Sequence, residues 1–93
     1  MNIQLGIETI KEVAKENHFK ITEGVSSFEI KKNMVHPESF KVQKKNDDLL
    51  IYQFEHEDYG KNCIYSLRTL SDIVKFCNLL IASTDIRGGR TKD

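Results

Sequence analysis

This chain has few of the features that identify the specialised classes of protein. It contains two cysteines, one proline and no tryptophan, and two cysteines are too few for the bridged framework of a small secreted domain. It has no apolar run near the roughly 20 residues that cross a bilayer, so we expect no membrane partner. Residues 1–13 lack a basic stretch followed by an apolar one, so we expect no secretory signal and a cytoplasmic location.

The chain also lacks an excess of charge of either sign. Its 14 basic side chains balance its 14 acidic ones, whereas nucleic-acid-binding domains are usually basic overall. The charges are unevenly distributed, with six lysines and three glutamates in residues 20–46 but five acidic and no basic side chains (Lys or Arg) in residues 47–60. The overall balance argues against a dedicated nucleic-acid binder and leaves room for a local basic face.

Apolar residues at helical spacing predict a helix near each end of the chain. The first stripe lies in residues 3–14, where Gly6 weakens the opening turn, so we expect that helix to begin near Ile7. The second helix is predicted over residues 69–81, and Thr69 followed by Asp72 resembles a capping box at its start. Its expected apolar stripe is Leu70, Ile73, Val74, Cys77, Leu80 and Ile81.

Between the helices, apolar and polar residues alternate in five short segments, the pattern of half-buried strands. They cover residues 19–22, 27–32, 39–45, 49–55 and 63–67, with turn signals between them. The predicted class is α+β: an antiparallel meander of four or five strands with an N-terminal and a C-terminal helix, in the order αββββ(β)α. We expect residues 1–93 to form a single domain, in which residues 84–93, with Gly88 and Gly89, form a flexible tail.

The strand alternation predicts a face rich in lysine. Six apolar side chains of the first three strands are expected in the core: Phe19, Ile21, Phe28, Ile30, Phe40 and Val42. The period of two then sends Lys20, Lys31, Lys41 and Lys45 to the opposite face. Such a face fits phosphate or an acidic protein surface. It equally fits a solvated sheet surface, since we expect no aromatic residue there for base stacking.

The fourth strand is apolar on both of its faces. Leu50, Tyr52 and Phe54 share one face, and Leu49 and Ile51 share the other. We expect Leu49 and Ile51 on the outward face beside the lysines. There they would contact a partner, lie beneath a terminal segment of the chain, or close a homodimer.

The sequence contains no pattern of a reactive site. The acidic run at residues 55–58 includes His56 but no second histidine at a ligand spacing, so we read it as a solvated turn and expect no metal. Neither Cys63 nor Cys77 has a histidine placed to activate it. There is no serine elbow and no glycine-rich phosphate loop. We therefore expect no enzymatic activity and no cofactor.

The resulting functional prediction is a small non-catalytic protein-binding module. Its expected contacts are Lys31, Lys41, Leu49, Ile51, Glu57, Asp58 and Tyr59, because paired charges and an exposed aromatic are typical of interfaces. The Lys-, Asn- and Ile-rich composition suggests a phage or plasmid accessory protein that inhibits or modulates a host macromolecule. The alternative is nucleic-acid binding through Lys20, Lys31, Lys41 and Lys45, with Arg87 and Arg90 assisting.

Overall fold

The computed structural model describes residues 2–31, 39–55 and 58–91, and all their side chains except those of residues 55 and 83–91. It has a helix at each end and a sheet between them, so the predicted α+β class is confirmed. The elements are α1 (Ile3–Glu16), β1 (Lys20–Glu23), β2 (Ser27–Lys31), β3 (Phe40–Lys45), β4 (Asp48–Glu55), β5 (Asp58–Tyr59), β6 (Tyr65–Leu67) and α2 (Leu70–Thr91).

The strands form one antiparallel meander in the order β1-β2-β3-β4-β5, with β6 also paired to β4. β3 occupies one side of β4, from Lys45 opposite Asp48 to Phe40 opposite Gln53. The other side of β4 pairs with β5 through Phe54 and Tyr59, and with β6 through Leu49 and Leu67. The segment between the predicted strands 49–55 and 63–67 is thus more than a turn, because β5 forms within it before the chain continues to β6.

Both helices pack on the same face of the sheet and enclose a single core. The buried apolar residues are Ile10, Ala14, Phe19, Phe28, Ile30, Phe40, Val42, Leu49, Ile51, Leu67, Ile73, Phe76, Cys77 and Leu80. The helices approach each other closely at Gly6, where an added Cβ would lie 3.2 Å from Cδ1 of Ile73. The lack of a side chain at Gly6 thus allows α1 and α2 to pack closely, although glycine is about 1 kcal/mol less favourable than alanine in a helix.

The two faces of β4 are the reverse of the prediction. Leu49 and Ile51 are 0% exposed and lie in the core beneath the helices, so they are not available to a partner. The register explains this, because Ile51 stands opposite the core residue Val42 whereas Tyr52 stands opposite Lys41. Side chains on directly opposed residues share a face, and Leu50, Tyr52 and Phe54 consequently lie on the lysine side.

The N-terminal ends of both helices are capped by side chains. The N–H of Leu5 donates to Oδ1 of Asn2 at 3.1 Å, so α1 begins at Ile3, not near Ile7 as predicted. At α2 the predicted capping box is confirmed: the N–H of Asp72 donates to Oγ1 of Thr69 at 3.2 Å, and the N–H of Thr69 donates back to Oδ2 of Asp72 at 3.2 Å.

The course of α2 differs from the prediction in two respects. Phe76 belongs to its buried stripe, beside Phe40 at 5.4 Å between ring centroids, whereas Leu70 and Val74 are exposed. The helix also continues beyond the predicted end at residue 81, to Thr91. Glycine weakens a helix but causes no steric clash as proline does, so Gly88 and Gly89 do not end it. In the part of the chain described, neither helix is long and apolar enough to cross a membrane.

Substituting His18 by glycine should stabilise the protein. His18 follows the C-cap Asn17 with a φ of 67°, and the N–H groups of His18 and Phe19 close the helix end on the carbonyls of Lys15 and Ala14. This left-handed position favours glycine. We expect the free energy of unfolding to rise by about 0.5–1 kcal/mol in urea titrations. The control Lys20→Gly, in a strand, should lower it, and a loss of stability in His18→Gly would contradict the assignment.

Candidate binding face of the sheet

The sheet has one face that carries neither helix, which we call the open face. The strand registers place alternate side chains on it, since Lys20 stands opposite Lys31, Glu29 opposite Lys41, and Lys41 opposite Tyr52. The side chains of this face are Lys20, Thr22, Ser27, Glu29, Lys31, Lys41, Gln43, Lys45, Asp48, Leu50, Tyr52, Phe54, Tyr59 and Ser66. The predicted sharing of one face by Lys20, Lys31, Lys41 and Lys45 is therefore confirmed.

An aromatic cluster lies on the open face where β4 pairs with β5. Phe54 and Tyr59 are directly opposed across β4 and β5, with ring centroids 5.3 Å apart and ring planes at 85°. The Tyr59 side chain reaches over the sheet, and its hydroxyl donates to Oε1 of Glu29 on β2 at 2.8 Å. This edge-to-face contact and long-range hydrogen bond fix the ring of Tyr59 against the strands. The expectation that the lysine face lacks aromatic residues was wrong.

The charged groups of the cluster are arranged around these rings. Nζ of Lys41 lies 5.0 Å from the ring centroid of Tyr52 and 5.6 Å from that of Tyr59, within the range of cation–π attraction. Nζ of Lys31 lies 3.3 Å from Oε1 of Glu29. The cluster thus combines aromatic rings with charged groups of both signs, and the contacts between them fix their relative positions. Its members are Glu29, Lys31, Lys41, Tyr52, Phe54 and Tyr59.

The pKa of Tyr59 is raised well above its ordinary value, chiefly because the phenol is partly buried and further because Glu29 stands beside it. Ionisation would set a phenolate against the Glu29 carboxylate and remove the proton of their hydrogen bond. A group whose folded-state pKa is raised stabilises the fold below its unfolded pKa and loses that contribution as pH rises through the folded value. The sensitive window lies above the ordinary tyrosine pKa of about 10.

Replacing Tyr59 by phenylalanine should remove this alkaline sensitivity. We expect the free energy of unfolding at neutral pH to fall by about 1–2 kcal/mol, because a hydrogen bond to a charged acceptor is lost. Above a pH of about 10 the difference from wild type should shrink. Urea titrations at several pH values measure both effects, with Tyr65→Phe at an exposed position as the control. A constant difference at all pH values would contradict the Tyr59–Glu29 contact.

The predicted partner-binding residues are only partly brought together. Lys31, Lys41 and Tyr59 lie in the cluster, whereas Asp58 is exposed but stands at the register position that alternates with Tyr59, and its Oδ1 accepts from the N–H of Tyr59 at 2.7 Å. Glu57 lies outside the described residues, and Leu49 and Ile51 are buried on the other face.

The residues of the nucleic-acid alternative are spread more widely. Lys20 stands on the edge strand β1 and Lys45 at the β3–β4 turn, opposite Asp48. Arg87 and Arg90 belong to the last turns of α2, and their side chains lie outside the described part of the chain.

Sequence reasoning missed Glu29, Tyr52 and Phe54 as members of the cluster. A signal for two of them was present in the Asn46-Asp47 turn, which joins β3 to β4 and sets Lys45 opposite Asp48. Counting back along both strands from that pair places Lys41 opposite Tyr52. Because a two-residue turn fixes the register of a hairpin, the turn also determines which face carries the aromatic residues.

A small recess lies among the described side chains of the open face. A cavity of about 90 Å³ is lined by Lys31, Ser39, Phe54 and Tyr59. Cofactor and small-molecule sites usually occupy about 300–1,000 Å³, so this recess is smaller than such a site.

The metal-ligating and thiol side chains of the described residues can be located individually. Within them, no three His, Cys, Asp or Glu side chains are grouped to hold a metal ion. Cys63 is exposed and Cys77 is buried, both as free thiols, and burial raises the pKa of Cys77. A raised pKa disfavours the reactive thiolate. No family model, curated protein or solved structure matches this chain.

Proposed function

We propose that the chain is a non-catalytic binding protein that holds another protein on its open face. The main observation in support is the cluster of Tyr52, Phe54 and Tyr59 with Lys41, on a sheet surface that neither helix covers. Aromatic side chains surrounded by polar groups are typical of interface centres. The mode of action is occupancy of the partner, in keeping with an accessory protein that modulates a host macromolecule.

The charges of the cluster favour a protein partner with an acidic surface. The ammonium of Lys41 lies over the rings of Tyr52 and Tyr59, so a stacking base would have to displace it. A partner carboxylate can instead approach Lys41 and Lys31 directly while its apolar neighbours contact the rings. Glu29 in the middle of the cluster repels phosphate, whereas a mixed protein surface can accommodate it.

Single-stranded nucleic acid is the second candidate, and the reversed face of β4 favours it. Tyr52 and Phe54 stand beside the lysines of β3, which supplies the combination of aromatic rings and basic groups used for base stacking. For four phosphate contacts, affinity for a single strand should fall roughly 50-fold between 50 and 200 mM salt.

The possible homodimer through Leu49 and Ile51 is no longer supported, because both side chains are buried in the core.

A tagged pull-down from a bacterial lysate, with and without nuclease, separates these candidates. Mass spectrometry of the retained material should find a stoichiometric protein that persists after nuclease treatment. The matched bait carries Tyr52→Asp on the open face and should lose that protein. Material that disappears with nuclease would support nucleic-acid binding, and equal capture by both baits would exclude the open face as the site.

A further inference from the structure

The recess of the open face contains a buried serine. Ser39 directly precedes β3, and its carbonyl accepts from the N–H of Phe54 at 2.9 Å, so it stands opposite Phe54. Because Phe40 lies in the core, the alternation along the strand turns the Ser39 side chain to the open face. Ser39 is only 5% exposed and lines the recess together with Lys31, Phe54 and Tyr59. The recess therefore holds a polar group that is almost entirely withdrawn from solvent.

The hydroxyl of Ser39 has no hydrogen-bond partner among the described residues. The other hydroxyl at the recess, that of Tyr59, donates to Glu29 at 2.8 Å, but no such bond involves Oγ of Ser39 within the described part of the chain. Buried hydroxyls in proteins are nearly always hydrogen-bonded, because burial without a partner is unfavourable. A ligand that enters the recess and bonds to Ser39 would relieve this cost.

The charged groups beside the recess favour an uncharged ligand. Nζ of Lys31 lies 3.3 Å from Oε1 of Glu29, so the ammonium and the carboxylate balance each other. A carboxylate entering the recess would approach Glu29, and an ammonium would approach Lys31, in each case with like charge. Lys31 still offers a hydrogen-bond donor, because an ammonium has three N–H groups and one carboxylate oxygen does not occupy them all.

We propose that the recess binds the carboxamide side chain of an asparagine or glutamine on the partner protein. A carboxamide has an acceptor oxygen for an N–H of Lys31 and two N–H donors for Oγ of Ser39. Its flat faces can lie against the rings of Phe54 and Tyr59. The recess of about 90 Å³ equals the liquid volume of about three water molecules, which suits the three heavy atoms of the group. This inference rests on the open face as the protein-binding site.

The first test compares three probes of the same shape: acetamide, acetate and acetamidinium. Each is titrated into the 15N-labelled full chain at constant ionic strength, and the amide signals are followed by NMR. We expect acetamide to shift the signals of Ser39 and Phe54 saturably, and the two charged probes to bind at least fivefold more weakly. Equal binding of the three probes, or no saturable shift at Ser39 with acetamide, would overturn the proposal.

The hydroxyl is tested by Ser39→Ala, with Ser66→Ala as the matched control. Ser66 is an exposed serine of the open face that does not line the recess. We expect Ser39→Ala to weaken acetamide binding about five- to tenfold, and Ser66→Ala to leave it within about twofold. The urea midpoint of Ser39→Ala should equal or exceed that of wild type, since the fold loses no hydrogen bond. A lower midpoint, or unchanged acetamide binding, would contradict the assignment.

A third variant separates the recess from the open face as a whole. Ser39→Val fills the recess with a side chain that strands favour, and circular dichroism checks that it folds. We expect it to weaken the affinity for the captured protein at least tenfold. If Tyr52→Asp abolishes capture but Ser39→Val binds as wild type does, the recess is overturned and the open face stands. If wild type captures no protein, the proposed function fails and this inference fails with it.

Discussion

Replacing Leu49 by alanine should lower the free energy of unfolding by about 3 kcal/mol, whereas Leu50→Ala should lower it by about 1 kcal/mol or less. Leu49 is 0% exposed, and its Cδ1 lies 3.6 Å from the position of a Cβ added at Gly6, so it packs between the sheet and α1. Truncating such a side chain leaves a cavity that a packed core fills poorly. Leu50 is half-buried on the open face and leaves no enclosed void.

The two variants form a matched pair on adjacent residues of one strand. Urea denaturation followed by circular dichroism gives both free energies, and the slope with urea should be unchanged from wild type. If Leu50→Ala lowers the free energy of unfolding as much as Leu49→Ala or more, then Leu50, Tyr52 and Phe54 face the core. The open face would then carry no aromatic cluster.

Reversing the charge of Lys41 should weaken partner binding by about 100-fold. Lys41 is the cation nearest the rings of Tyr52 and Tyr59, and a glutamate there would face the acidic partner surface with like charge, at a cost of several kcal/mol. Lys45→Glu is the matched control, because Lys45 lies on the same strand and face but at the turn opposite Asp48. We expect it to weaken binding only a few-fold, mostly through slower association.

Isothermal titration of each variant with the captured protein gives these affinities directly. Equal losses for Lys41→Glu and Lys45→Glu would indicate a diffuse electrostatic surface, as nucleic-acid binding requires. No loss for Lys41→Glu, in a variant whose circular dichroism matches wild type, would remove the cluster from the binding site.

The sequence predicts the element order of this fold well because the signals involved are local. The stripe on α2 and the capping pair Thr69–Asp72 are read within one or two turns of helix. The predicted start of α1 near Ile7 is wrong because it depends on the low helix propensity of Gly6 alone. The cap at Asn2 and the close approach of Gly6 to Ile73 favour a helix that begins earlier. Likewise, β5 is only two residues long and is defined by its pairing with β4, which a local sequence pattern does not show.

The candidate site was harder to predict because it depends on register between distant residues. Lys31, Lys41 and Tyr59 were identified by their types, but the bond from Tyr59 to Glu29 joins residues 30 positions apart. The composition of β4 does not show which of its two faces is buried, since both faces carry apolar residues. Aromatic rings usually identify the core face, as Phe28 and Phe40 do on β2 and β3, but the rings of β4 lie on the open face.

Site-specific photo-crosslinking tests the central claim most directly. A benzophenone amino acid replaces Tyr52 on the open face or, as the control, Lys15 on the exposed side of α1, and each tagged chain is irradiated in nuclease-treated bacterial lysate. The predicted result is a single protein adduct from position 52 that is missing from position 15. An adduct from position 15 alone, or a position-52 adduct that forms only when nucleic acid is left intact, would contradict the open face as a protein-binding surface.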